Sequence, residues 1–516
     1  MSLTLKTPGV YIEEKNAFSN SVVAVETAIP AFIGYTENAT FKGKSLLNKP
    51  IRVDSLLEFE NFFGMGAHTI YNVATIDPDQ EDAPPTDLIM LDKHLSLTPQ
   101  AGTLFYMYEA VKLFYQNGGA SCYVIAIGTY GGGTVKPDFS TDPFIHGLRL
   151  LEKEVEPTMV VIPDALLFTD DNGANCYSLQ QQMLNHCGTL KSRVAILDVF
   201  NGNKGLEDPT YNPIDAFRDA VSSDFLSYGS TYYPWLKTTV VQPTELSYKN
   251  LSEDGIVLLK ELLTESISGL KEKEIEAMTP YINALTGDIE EGSDVPSDPD
   301  TLNHIMNNTF PAYKSVMLAV LEKKNLLPPS GAMAGIFTRV DNEHGVWKAP
   351  ANVAVNSTIG PAVHIDHNQQ QDLNAPILGK AVCAIRPFVG LGTMVWGART
   401  LDANSLDWRY INVRRTMIMI EQSVKFAANA YVFEPNVKNT WVAINSMISS
   451  FLTNLWKQGA LAGSSPEEAF EVAVGLGSTM SPTDILEGIM NISVKVAISR
   501  PAEFIVITFQ QQMQKS

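Results

Sequence analysis

Hydrophobic positions along this chain fall into two kinds of run. Some are short and continuous, as in "AFIGYTE" (31–37), "SCYVIAI" (121–127), "TMVVIPD" (158–164) and "SRVAILDVF" (192–200). A strand with apolar side chains on both faces is normally sandwiched inside a sheet, so these runs predict buried strands. Others recur at three- and four-residue spacing, as in "DSLLEFENFFG" after Pro50, "NCYSLQQQMLNHC" and "PIDAFRDAVSS", and predict helices. Their alternation is what a mostly parallel sheet with covering helices requires. "SVVAVET" (21–27) reads as one more strand at the head of this α/β region, and "STYYPWLKTTVV" (230–241) as another near its end.

Two stretches interrupt the rhythm. "TIDPDQEDAPPTD" (75–87), with three prolines and five acids, reads as an exposed loop. A helical stretch from about Leu251 to Met278, the acidic loop "GDIEEGSDVPSDPD" (287–300) and a helix over "TLNHIMNNTFPAYKSVMLAVLEKKN" together read as an insertion spanning 237–327. The chain resumes with "AMAGIFTRVDNEHGVWKAPAN" (332–352), and from about Gly379 it becomes α+β. There the strands are "KAVCAIRPF", "TMVWGART" and "ISVKVAIS", and the helices "NVRRTMIMIEQSVKFAANAYV" and "TWVAINSMISSFLTNLWKQGA". No short repeat, heptad array or low-complexity tract occurs.

Both ends read as segments in need of a partner. The first twenty residues form an extended arm, since Pro8 and Gly9 break a helix and "VYIEE" alternates too briefly to pack alone. At the other end, Phe504 to Phe509 are all strong β-formers. Such a strand either closes a sheet of its own domain or enters that of another chain, and the pattern leaves both open.

Composition narrows the class. With 516 residues the chain is too long for one core, so two to four domains are expected. No apolar run approaches the roughly 18 residues of a membrane span, so no direct membrane insertion is expected. The opening "MSLTLKTPGVYIEEK" has no export-signal pattern, which points to synthesis and assembly in a cytoplasm. A formal charge of -20 opposes phosphate-backbone binding, so nucleic acid is not an expected partner. Cys122, Cys176, Cys187 and Cys383 form no C-x-x-C pair and read as buried free thiols.

The usual chemical constellations are missing. "FKGKS" (41–45) ends like a phosphate loop, but Asn38 stands where the required glycine would be. "GTYGGGT" (128–134) lacks the spaced G-x-G-x-x-G and reads as a linker. "HIDH" (364–367) offers His364, Asp366 and His367 but no further ligand near by in sequence, and reads as a polar interdomain loop. "FTDDNGANC" has its glycine at the wrong place for a calcium loop. No catalytic residue, cofactor or metal is assigned.

The residues that remain prominent are structural, and they resemble a known family. "TPGVYIEE", "VETAIPAFIGYTE", "YQNGGASCYVIAI", "YYPWL", "PPSGAMAGIFTRVDNEHGVWKAPAN", the long stretch "GLGTMVWGARTLDANSLDWRYINVRRTMIMIEQSVKFAANAYVFEPN", "TNLWKQGALAGSSPEEAF" and "SRPAEFIVITF" resemble contractile tail sheath proteins of phages and phage-tail-like injection systems. The departures lie at 65–100 and 237–327, where compact members are short. The resemblance implies an N-terminal linking arm (1–20), an α/β middle domain (21–355) interrupted by those two segments, a C-terminal α+β core domain (356–500) and a C-terminal linking arm (501–516).

It also implies a function: a structural, non-enzymatic subunit that polymerises as stacked rings around an inner tube in a metastable extended state, then contracts to drive the tube through a target envelope. The arms, over Thr7, Pro8, Gly9, Val10, Tyr11 and Ile12 and over Phe504, Ile505, Val506, Ile507, Thr508 and Phe509, are expected to add strands to a neighbour's sheet. The acceptor sheet carries Val494, Val496 and Ile498, and the inner tube is expected against Asn454, Lys457 and Gln458. For Lys457 a solvated helix end is the plainer reading. Partners implied are further copies, the inner tube, baseplate and terminal cap proteins, and a sheath paralogue where one exists. The implied place is a phage tail or a released injection particle. An enzyme or nucleotide-binding protein using the α/β region, and a static shell, are the competing classes. The first predicts a ligand crevice at the strand ends, the second assembly without a shorter state.

Overall fold

The computed structural model describes residues 21–80, 84–131, 140–168, 171–207, 211–222, 224–289, 295–377 and 379–506. Two compact units are present, one formed by residues 26–415 and the other by 1–25 with 416–516, so that the division falls inside the helix Ile411–Ala428.

The larger unit is built on a nine-stranded sheet. From one edge its order is Val353–Ala354, Gly392–Val395, Cys383–Phe388, Gly229–Tyr233, Val194–Asp198, Met159–Val161, Pro30–Thr36, Cys122–Thr129 and Ile51–Val53. The six from Cys383–Phe388 to Cys122–Thr129 run parallel, and the strands flanking them are antiparallel. Every residue of Pro30–Thr36, Cys122–Thr129 and Val194–Asp198 is buried, as the continuous apolar runs predict.

Neighbouring side chains show why both faces are covered. Phe32 meets Phe114 of the helix Met107–Gln116 edge-on at 5.5 Å. A Cβ on Gly147 of the helix Asp142–Leu150 would lie 2.7 Å from Ile33 Cγ2. Since Phe32 and Ile33 point to opposite faces, a helix lies on each. The motif "PPSGAMAG" has a packing reason too. In the helix Ser330–His344, a Cβ on Gly331 or Gly335 would come within 2.4 Å of the carbonyl oxygens of Ala110 and Phe114 respectively, so only glycine lets these two helices touch.

The two interruptions seen in the sequence form one module. Strands Tyr71–Ile76, Lys93–Pro99 and Leu88–Met90 make an antiparallel sheet, and helices Glu253–Ile267, Glu272–Ala284, Pro299–Thr309 and Pro311–Lys324 belong to the later stretch. Tyr71, Val73, Leu95 and Leu97 share a single core with Leu259, Leu262, Leu263, Met306, Tyr313 and Val320. Entry and exit of the later stretch are paired, with Leu236 opposite Leu327 and Lys237 opposite Leu326. A buried ion pair of 2.8 Å, Lys324 Nζ to Glu109 Oε1, ties the last helix to Met107–Gln116, its side chains only 6% and 3% exposed.

Several expectations are corrected. Residues 21–29 are in no strand: side chains take the Val25 and Ile29 amides and the Thr27 carbonyl, and main-chain pairing begins only at the Ile29 carbonyl, which accepts from Thr158 N at 2.8 Å. "STYYPWLKTTVV" is two strands, Gly229–Tyr233 and Leu236–Thr238, in different sheets, since Pro234 has no N–H for a ladder. Each long helix of the insertion is a pair. The second breaks at Pro311, which caps no preceding turn but starts the next helix well. Strands Cys383–Phe388 and Gly392–Val395, grouped by the sequence with a domain 356–500, hydrogen-bond into the large sheet, so the compact C-terminal unit takes over only after Arg415.

Candidate assembly surfaces

The C-terminal unit holds the residues singled out for assembly. Its helix Lys438–Lys457 buries Ile444, Met447, Ile448, Phe451, Leu452 and Leu455 at helical spacing. A hairpin of Phe470–Val474 and Ile492–Val496 packs on it, with Phe470 opposite Val496, Val472 opposite Val494 and Val474 opposite Ile492. Asn445 Nδ2 donates to the Val472 carbonyl at 2.8 Å. Apolar residues alternate with Glu471, Ser493 and Lys495, yet none of the ten strand residues is buried. This sheet has two strands only, and among the described residues neither outer edge is covered by a third.

Val494 and Val496 lie in the sheet as expected. Ile498 does not: it falls beyond the last strand residue and makes an isolated bridge to Leu461. The amide of Ala497 still donates to the carbonyl of Ala469 at 2.8 Å, in register with the hairpin, but the Ala469 amide donates to Ser465 O, so the pairing stops there. Ser499 N still donates to Ala460 O at 3.0 Å, after which residues 500–506 enter no strand. Phe504, Ile505 and Val506 are 74%, 79% and 89% exposed. Ile507, Thr508 and Phe509, like Thr7 to Ile12, lie outside the described residues.

Asn454, Lys457 and Gln458 are exposed together at the end of Lys438–Lys457, with Gln458 as its C-cap. A cation in the last turn complements the helix dipole, which by itself accounts for Lys457. An open cleft of about 430 Å³ lies near the start of the same helix, between Trp441, Val442 and the hairpin end at Val474 and Leu476.

The strand ends of the large sheet, where an α/β enzyme would place its ligand, are filled by structural carboxylates. Asp164 accepts the amides of Tyr35 and Tyr106, each at 2.8 Å, and Asp198 accepts that of Ser330 at 2.9 Å. Burial pushes each up to about 7, although these donors pull the other way. Asp366 caps the helix His367–Asn374 through Gln369 N at 2.7 Å instead of joining His364 and His367 around a metal. Among the described residues no group of three His, Cys, Asp or Glu could hold a metal ion, and no helix is long and apolar enough to cross a membrane. The four cysteines are buried thiols outside any disulfide, and burial raises Cys122 and Cys187 to about 12.

Two adjacent arginines of "WRYINVRR" are firmly engaged. Arg414 stacks on Trp408 at 3.6 Å and on Tyr228 at 4.3 Å, and donates to Ser227 Oγ at 2.8 Å. Arg415 forks onto Asp341 at 2.9 and 2.6 Å, with both side chains 3% exposed. Nothing local in "WRYINVRR" announces partners 74 residues away.

Comparison with known proteins adds an independent line. The family model of the phage tail sheath C-terminal domain matches residues 403–512. A putative prophage major tail sheath protein of Pseudomonas aeruginosa is 27% identical over 138 residues, covering 26% of this chain and 34% of that protein. The tail sheath protein of Vibrio phage KVP40 is 25% identical over 199 residues, covering 36% and 27%. These alignments thus span about a third of each relative or less. Among solved structures, the PVC sheath complex of an extracellular contractile injection system, in its contracted state, superposes with a TM-score of 0.58 at 25% identity over 99% of both chains. The contracted helical sheath of the anti-feeding prophage gives 0.58 at 26% identity, covering 99% of this chain and 100% of that one.

Proposed function

We propose that this chain is a contractile tail sheath protein, a structural subunit which polymerises around an inner tube and contracts to drive that tube through a target envelope. The observation that carries the reading is the end-to-end likeness, over 99% of the chain, to two sheaths held in a contracted state. Its work is assembly and repacking, with no catalytic step. Energy is stored as subunits add in the extended arrangement and is released when their interfaces repack, so no nucleotide is consumed.

The linking arms are residues 1–20 and 501–516. Supporting this, the described part of the terminal segment exposes three consecutive apolar side chains, and the hairpin of the same unit has two strands among the described residues. Adding a neighbour's strand would supply main-chain hydrogen bonds and cover that edge. Each arm joint is modest alone, but many repeated joints make the filament cooperative. The partners are further copies, the inner tube against Asn454, Lys457 and Gln458, the baseplate, a terminal cap and a paralogue where one is encoded. Assembly takes place in the bacterial cytoplasm and action in a phage tail or injection particle.

Sedimentation and negative-stain electron microscopy of the chain with and without residues 503–516 test this. Hollow tubes from the full chain and a folded monomer from the truncated one are expected. Identical monomers from both would overturn the sheath reading, and an unfolded truncated monomer would overturn strand donation.

A further inference from the structure

The segment that leads from the N-terminal arm into the sheet is held in an unusual way. Residues 21–29 belong to no strand, and the first strand begins at Pro30. Even so, side chains from distant parts of the chain hold this backbone at residues 25, 27, 28 and 29, and Thr158 N adds a main-chain bond to Ile29 O at 2.8 Å. Val25 N donates to Ser423 Oγ at 3.0 Å. Thr27 Oγ1 donates to Asp341 Oδ2 at 2.6 Å, and Thr27 O accepts from Arg415 Nη2 at 2.9 Å and from Thr158 Oγ1 at 2.8 Å. Ala28 O accepts from Thr338 Oγ1 at 3.2 Å, and Ile29 N donates to Thr158 Oγ1 at 3.1 Å.

We propose that Thr27, gripped by Asp341, Arg415 and Thr158, is the mechanical anchor of the N-terminal arm, the point at which tension from a neighbouring subunit enters the large sheet. The proposal rests on the reading that the arm links subunits. The chemistry suits the task. A ladder strand pulled along its axis shares load over several weak bonds, whereas here one residue is held on both its side-chain oxygen and its carbonyl. The holding groups are a carboxylate and a guanidinium that are themselves buried, forked together and fixed in place. The Arg415 guanidinium also sits 4.6 Å from the Phe337 ring centroid, which restrains it further. Thr158 and Thr338 lie on or beside the elements Met159–Val161 and Ser330–His344, so the load is divided between sheet and covering helix. Arg415 is also the last residue of the larger unit, and Thr27 its second.

The test uses filaments of the full chain carrying Thr27→Val, which keeps shape but removes the hydroxyl, and separately Thr158→Val. Filaments are sheared and their lengths measured by electron microscopy, beside filaments lacking residues 1–20. Losing one such hydrogen bond should raise local opening by about fivefold, read as faster amide exchange over 25–29. Sheared filaments of both variants should be shorter than the parent's while unsheared ones match it. Equal lengths after shear for the parent and both valine variants, together with shortening on removal of 1–20, would overturn the anchor alone. If removing 1–20 also changes nothing, the linking-arm reading falls with it.

Discussion

The large sheet and the small one follow different rules. In the middle of the larger unit the strands Pro30–Thr36, Cys122–Thr129 and Val194–Asp198 are buried at every position and flanked on both sides by further strands. In the C-terminal unit the strands Phe470–Val474 and Ile492–Val496 bury none, and each keeps one edge without a strand partner among the described residues. Two-stranded sheets are marginal in water unless something covers them. The interior strands of the larger unit thus have their ladders satisfied on both sides, whereas each strand of the smaller sheet keeps one edge to which a further strand could add. On the proposed reading that this edge takes a neighbour's strand, the joint would be made of main-chain bonds that are insensitive to side-chain detail, and the larger sheet would not need to open.

The comparison is sharpest where the same kind of truncation is made in both places. Phe32→Ala, on an interior strand of the large sheet and against Phe114, should cost about 3–5 kcal/mol in chemical denaturation of the isolated subunit. Lys324→Met should cost a similar amount, about 3–5 kcal/mol, because Glu109 is left as a buried unpaired charge. Adding Glu109→Gln to it should restore much of the loss, and a double-mutant cycle by the same method measures how much.

A smaller effect concerns pH. Asp164 and Asp198 are pushed by burial to about 7, above the ordinary carboxylate value of 3.8 that they regain on unfolding. Between those limits the folded chain holds protons which the unfolded chain releases. Their contribution to stability is therefore full below the ordinary value and is lost as pH rises through about 7. Unfolding midpoints measured from pH 5 to pH 8 should fall for the larger unit, and Asp198→Asn should flatten the slope.

The smallest effects belong to the open sheet. Phe504→Ala and Lys495→Ala should each change subunit stability by less than about 1 kcal/mol, since Phe504 is 74% exposed and the Lys495–Glu471 pair is 73% and 61% exposed. Only Phe504→Ala should weaken filaments, as read by the concentration at which they form.

How legible this division is in the sequence depends on the range of the forces involved. Strands buried on both faces announce themselves locally, and so do the helices Leu56–Phe63 and Ala174–Leu190, whose spacing is plain. Gly331 and Gly335 sat in a motif that carried the family resemblance, but their reason, contact with the carbonyls of Ala110 and Phe114, is tertiary. The union of Tyr71–Ile76 with helices some two hundred residues later has no local signature, so one module was read as two interruptions. Residues 21–29 mislead for the opposite reason: "SVVAVET" has strand composition, yet its partners are the side chains of Ser423, Asp341 and Thr158. Of the residues expected to serve assembly, the apolar Phe504 to Val506 stood out by pattern alone, whereas the end of the strand at Val496 depended on the Ala469 amide turning to Ser465.

Hydrogen exchange resolved by residue, compared between the isolated subunit and the assembled filament, tests the central claim directly. The account predicts that amides of Phe470–Val474, Ile492–Val496 and 504–506 exchange readily in the subunit and become strongly protected in the filament, while those of Pro30–Thr36 and Cys122–Thr129 are protected in both. Equal protection of the small sheet and of 504–506 in the two states would contradict it.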